Sequence, residues 1–137
     1  MPATEEAVGI AVAAAAAADD KKALDPVLLD VADVLAVVDL FLLVSATNDR
    51  QLDAIVQAIE ERLRGHDRRP LRREGTAAGG WVLLDYGDLV CHVFSVDQRE
   101  HYALERLWGD VPQLDPTTGA PMARASRRAP VGADAGA

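Results

Sequence analysis

Residues 79–108 read GGWVLLDYGDLVCHVFSVDQREHYALERLW. Two apolar runs, 81–86 and 89–95, flank the pair Gly87-Asp88. Gly at the first of two loop positions suits a type II′ turn, so the pattern predicts a β-hairpin. With Gly87 and Asp88 as the loop, Tyr86 faces Leu89, Asp85 faces Val90, Leu83 faces His92 and Trp81 faces Phe94. Side chains alternate along a strand. One hairpin face therefore carries Val82, Leu84, Tyr86, Leu89, Cys91 and Val93, and belongs against a core. The other carries Trp81, Leu83, Asp85, Val90, His92 and Phe94, apolar with two ionisable groups at its centre. That mixture suits a helix-covered face or a docking surface, and a one-residue slip would exchange the two faces. A helix is predicted over 98–108, with Asp97 as its N-cap.

Upstream, 39–46 (DLFLLVSA) is a nearly continuous apolar run without helical caps, as a strand buried on both faces reads. It is placed at the centre of the sheet. Thr47 or Asn48 caps a following helix to about Arg64, in which Leu52, Ile55, Val56, Ile59 and Leu63 form an amphipathic stripe. Gly65 is the expected C-terminal stop. A short strand is expected around 27–31, an ambiguous turn at 32–38, and an edge strand over 70–74, blunted by Pro70 and its charges. Residues 4 to about 18 form an Ala-rich helix capped by Thr4, with little to bury and hence loosely held. The fold class is α/β: a mixed sheet of about five strands flanked by helices. The chain divides into an N-terminal helix (1–20), a domain (21–114) and a disordered tail (115–137).

At 137 residues the chain makes one core. Its formal net charge of -8 disfavours wholesale wrapping of nucleic acid. The single Cys91 excludes an internal disulfide and a cysteine zinc cluster, and suits a reducing, cytoplasmic compartment. Acidic residues Glu5, Glu6, Asp19 and Asp20 flank the Ala run where a secretory leader would be basic, and the run is too short to span a membrane.

Chemistry is sparse. Asp85 and Asp88 straddle the turn, and would need to converge to hold a metal; the plainer reading is a strand end and a turn former. His92 lacks a nucleophile with supporting groups. Ser45-Ala46-Thr47-Asn48 precedes a helix N-terminus but lacks the glycines of a phosphate loop, so capping is favoured over anion binding. Arg62, Arg64, Arg68, Arg69, Arg72 and Arg73 form a basic cluster, equally readable as a solvated helix end or as a contact for RNA phosphates. Trp81, Tyr102 and Trp108 are either core or interface anchors.

The hairpin and its helix, with DDKKALDPVLLDV at 19–31 and DLFLLVSATNDRQLDAIVQAIEERL at 39–63, resemble the ribosomal silencing factor (Iojap-like) family over about 11 to 114. Leu40-Phe41 and Cys91 depart from the Tyr-Phe and Val common there, but stay apolar. The resemblance implies a nucleotidyltransferase-like α/β/α sandwich without that enzyme's Gly-Ser and Asp-X-Asp motifs, and no cofactor. It implies a non-enzyme that binds the large ribosomal subunit through ribosomal protein fourteen and keeps the small subunit from joining when nutrients are scarce. Trp81, Leu83, Asp85, Tyr86, Asp88, His92 and Tyr102 are the expected partner-binding residues. A nucleotide-processing enzyme built on Asp85 and Asp88 is the rival. A peripheral rRNA contact through the arginines, and a homodimer through a sheet edge, stay open.

Overall fold

A computed structural model describes residues 2–122. Six strands form one sheet in the order β3-β4-β5-β2-β1-β6. They are β1 (Leu24–Asp30), β2 (Leu40–Ala46), β3 (Arg72–Thr76), β4 (Trp81–Asp85), β5 (Leu89–Ser95) and β6 (Gln113–Leu114). Only β2 and β5 run parallel, and the other four pairings are antiparallel. Central β2 is buried at every position but Phe41, as its unbroken apolar run predicts.

The hairpin register is the one counted from the sequence: Asp85 pairs with Val90, Leu83 with His92 and Trp81 with Phe94. Gly87 has φ +92, the left-handed value that a first loop position of this turn requires. The face bearing Val82, Leu84, Tyr86, Leu89, Cys91 and Val93 lies in the main core, together with α1 (Glu5–Asp20) and α2 (Asp49–Arg64). The predicted stripe of α2 is its buried face, and Asn48 is its cap, accepting the Gln51 N–H at 2.8 Å.

The Ala-rich helix is no loose appendage. Ala7, Ile10, Ala11, Ala14, Ala15, Ala17 and Ala18 are all buried, and α1 packs on α2 and β2. Small side chains let two helix backbones approach closely, so little area per residue still yields a continuous core. The chain start is tied down as well. Asp30 accepts the Ala3 N–H and Asp39 the Thr4 N–H, at 3.0 and 3.1 Å.

Other boundaries differ from the expectation for local reasons. α2 ends at Arg64, but Gly65 stays right-handed at φ -64, and the chain turns instead at Asp67, φ 61. The edge strand begins two residues later than predicted, at Arg72. The helix after the hairpin starts directly from the strand: Ser95, not Asp97, accepts the Gln98 N–H and caps α3 (Val96–Tyr102). It then breaks at left-handed Ala103 (φ 48, ψ 49) before α4 (Leu104–Leu107). β6, too short for a sequence pattern, pairs with β1 at Leu28 and Leu29. Residues 115–122 form a turn closed by an Asp115 N–H to Ala120 bond and a bridge from Leu114 to Pro121. The rest of the predicted tail, 123–137, lies outside the described residues.

The second sheet face has a thinner cover. Leu29, Val31, Leu43, Phe94 and Val111 form a smaller core there, with Leu35, Val38, Phe41, Trp81, Leu104 and Trp108 packed against it. This cover stops at the outer edge of the hairpin.

Candidate functional site

The site is built on β4, where alternation turns Trp81, Leu83 and Asp85 to the thinly covered face. All three are part-exposed, whereas Val82 and Leu84 between them are fully buried. Beside them Tyr102, the last residue of α3, is 46% exposed and packs on Trp81 with tilted rings whose centroids lie 4.5 Å apart. Phe94, fully buried, also packs against the indole, at 4.8 Å between ring centroids. Behind Trp81 lies His92, 5% exposed, whose Nδ1 accepts the indole Nε1–H at 3.1 Å. His92 in turn touches Phe41 edge-on at 5.2 Å, and Phe41 touches Trp108 at 5.6 Å. Six aromatic side chains thus run as one layer from the sheet centre to the surface, ending at Trp81 and Tyr102.

Electrostatics at the exposed end are acidic. Asp85 Oδ1 accepts the Gly87 N–H at 2.8 Å, and Arg72 lies 3.4 Å from Asp85 and 3.4 Å from Glu74. These are long, solvent-facing pairings that contribute little to stability. A shallow hollow of about 240 Å³ sits between Glu74, Gly75, Trp81 and Leu83. Gly75 is required at its rim: a Cβ there would lie 2.0 Å from the Trp81 carbonyl oxygen, and its φ is +88.

The seven expected partner residues do not form one surface. Trp81, Leu83, Asp85 and Tyr102 do. His92 lies beneath them and supports Trp81. Tyr86 is 4% exposed on the opposite face, inside the main core. Its hydroxyl has no hydrogen-bond partner among the described residues, and burial, with nearby Cys91 and Glu60, pushes the phenol upward. Asp88 binds Arg68 at 2.6 Å, and Arg68 approaches Glu6 of α1 at 3.7 Å, which puts that pair on the helical side. The Asp88 carbonyl also receives the Asp39 and Leu40 N–H groups, so this residue clamps the hairpin to β2. Asp85 and Asp88 are thereby committed to different partners and do not converge, as the enzymatic reading requires. Among the described residues, no three metal-ligating side chains cluster.

Burial lowers the His92 pKa from 6.5 to about 4, so the ring is neutral near pH 7. The indole can only donate, hence Nδ1 is the acceptor and the proton sits on Nε2. That Nε2 has no partner among the described residues.

The arginine cluster is largely occupied. Arg62 pairs with Asp20, Arg68 with Asp88, Arg72 with Asp85 and Glu74, and Arg73 with Glu60. Nor is the 45–48 segment free: Thr47 donates its N–H and hydroxyl to Gln51 Oε1, and Ser45 Oγ accepts from the buried Arg99 at 2.8 Å. Arg99 also donates to the Asp25 carbonyl at 2.7 Å. Sequence reasoning missed Phe41 and Arg99 as parts of this arrangement; Phe94 it placed on the right face opposite Trp81, as the register shows. Phe41 shares a face of β2 with Leu43, which pairs with His92, a parallel register that the sequence pattern does not show.

Comparison with known proteins is consistent with the geometry. A family model described as "Ribosomal silencing factor during starvation" matches residues 4–135. The ribosomal silencing factor of Bacillus subtilis (strain 168) is 42% identical over 102 residues, 74% of this chain and 86% of that protein. A crystal structure of a Chromobacterium violaceum protein superposes with a TM-score of 0.71 at 30% identity, covering 74% of this chain and 84% of the other. A crystal structure from Bacillus halodurans gives 0.68 at 34% identity, covering 82% and 99%. With nearly the whole described fold inside the family match, the chain belongs to the ribosomal silencing factor family.

Proposed function

We propose that this chain represses translation by binding the large ribosomal subunit through ribosomal protein fourteen, where its bulk keeps the small subunit from joining. The observation that carries the reading is the part-exposed face of Trp81, Leu83, Asp85 and Tyr102 on a chain of this family. An aromatic pair beside a hollow makes an interface anchor, because Trp and Tyr supply large contact area at low entropic cost. Asp85 and Glu74 meet basic groups of the partner, and a body of net charge -8 complements a basic protein while being repelled by bare rRNA. Inhibition by occupied volume makes and breaks no covalent bond.

Sedimentation with separated subunits tests this. The protein is expected to travel with the large subunit, and to lower the yield of joined ribosomes when small subunits are added. Migration with small subunits alone would overturn the reading, as would a turnover reaction that survives purification.

A further inference from the structure

The docking reading leaves unexplained why a histidine sits 5% exposed in an aromatic layer, with one ring nitrogen unpartnered among the described residues. Phenylalanine would fill that position without burying an orphaned N–H. What the imidazole adds is a single acceptor: Nδ1, 3.1 Å from the Trp81 indole nitrogen. Contact with the tilted rings of Phe94 at 4.8 Å and Tyr102 at 4.5 Å packs the indole. It does not choose between the ring and its flipped rotamer, since both bury similar apolar area. The hydrogen bond does choose, because only one rotamer points Nε1–H inward.

We infer that His92 is a positioning residue of the docking face: through its Nδ1 it fixes one Trp81 rotamer and turns the indole's only polar atom away from the partner. The face then presents carbon alone at Trp81 and Leu83, bounded by the carboxylates of Glu74 and Asp85. Such a surface selects a partner strand or loop that brings an aliphatic or aromatic side chain to Trp81 with a cation beside it. It rejects one that needs a hydrogen bond at that point, since a buried acceptor facing the indole's carbon edge would go unpaired. This inference rests on the docking reading.

The test uses the full chain as His92→Phe, which keeps ring and volume but removes the acceptor, and as His92→Asn, whose Oδ1 falls close to the position of Nδ1. Three quantities are measured: large-subunit affinity, thermal midpoint, and exchange of the Trp81 indole proton, assigned with Trp81→Phe and compared with the backbone amides of β4. His92→Phe is expected to keep the fold, to expose the indole proton to exchange while those amides stay protected, and to weaken binding at least about fivefold. His92→Asn is expected to restore both protection and binding. Unchanged indole exchange and affinity in His92→Phe would overturn the positioning role. Trp81→Ala separates the two readings. If it binds at parental strength, the docking face itself is wrong and the positioning role falls with it. If it binds poorly while His92→Phe binds normally, only the positioning role fails.

Discussion

Acid is expected to destabilise this protein through His92 before most of its carboxylates are neutralised. The imidazole has a pKa lowered from 6.5 to about 4 by burial, so the folded state resists taking up a proton that the unfolded chain accepts readily. The sign follows from the proton count. Between about pH 6.5 and pH 4 the unfolded state binds more protons, so stability is complete above that window and falls as pH drops through it. The loss amounts to about 2 kcal/mol by pH 5 and about 3 kcal/mol by pH 4, beyond which it levels off. Protonation also makes Nδ1 a donor facing the Trp81 donor, so the lost hydrogen bond is part of the same cost. The assay is urea unfolding at several pH values for the parent and for His92→Phe. Titration of the carboxylates is common to both and cancels in the difference. The parent is expected to lose about 3 kcal/mol more than the variant between neutrality and pH 4. Equal losses in the two proteins would refute the burial argument.

Four further outcomes are expected. Trp81→Ala removes the anchor and weakens large-subunit association by about 2 kcal/mol or more, roughly thirtyfold, read by sedimentation or calorimetry. Arg99→Met strips the donors from Ser45 Oγ and the Asp25 carbonyl at 2.8 and 2.7 Å, and lowers stability by about 2–3 kcal/mol in urea titration. Gly75→Ala drives a Cβ into the Trp81 carbonyl at φ +88, so it costs at least about 2 kcal/mol and shifts the near-ultraviolet circular dichroism of the tryptophans. Ala103→Gly relieves a left-handed alanine at φ 48 and raises the thermal midpoint, by the equivalent of about 1 kcal/mol.

What was legible in the sequence were the features set by short-range pattern. The hairpin register followed from one Gly-Asp pair, and the buried stripe of α2 from its spacing. The central strand was readable because nothing polar interrupts it between Leu40 and Val44. The features that escaped depend on contacts between distant segments. Ala has no pattern of its own in a run of Ala, so only the packing of α1 on α2 reveals which side of it is core. β6 spans two residues and exists because β1 offers it an edge. Within the site, the exposed residues of β4 were found by alternation. Tyr86 and Asp88 were placed with them by closeness to the turn, although alternation already put Tyr86 on the core face; Asp88 is drawn to the helical side by Arg68.

The break at Ala103 decides how much of the hairpin remains uncovered. In an uninterrupted helix over 98–108, Tyr102 and Leu104 would point about 200° apart, and only one of them would meet the sheet. The left-handed residue between them breaks the helix, so that Tyr102 packs on Trp81 while Leu104 and Trp108 pack on the smaller core. Cover and exposure are thereby set together. Leu104 and Trp108 add cover to the smaller core, Trp108 through Phe41, which in turn touches His92. His92 is buried and has a lowered pKa, while Trp81 and Leu83 stay part-exposed. The local kink that costs backbone strain thus places Tyr102 against the part-exposed Trp81, whose indole N–H the buried His92 accepts.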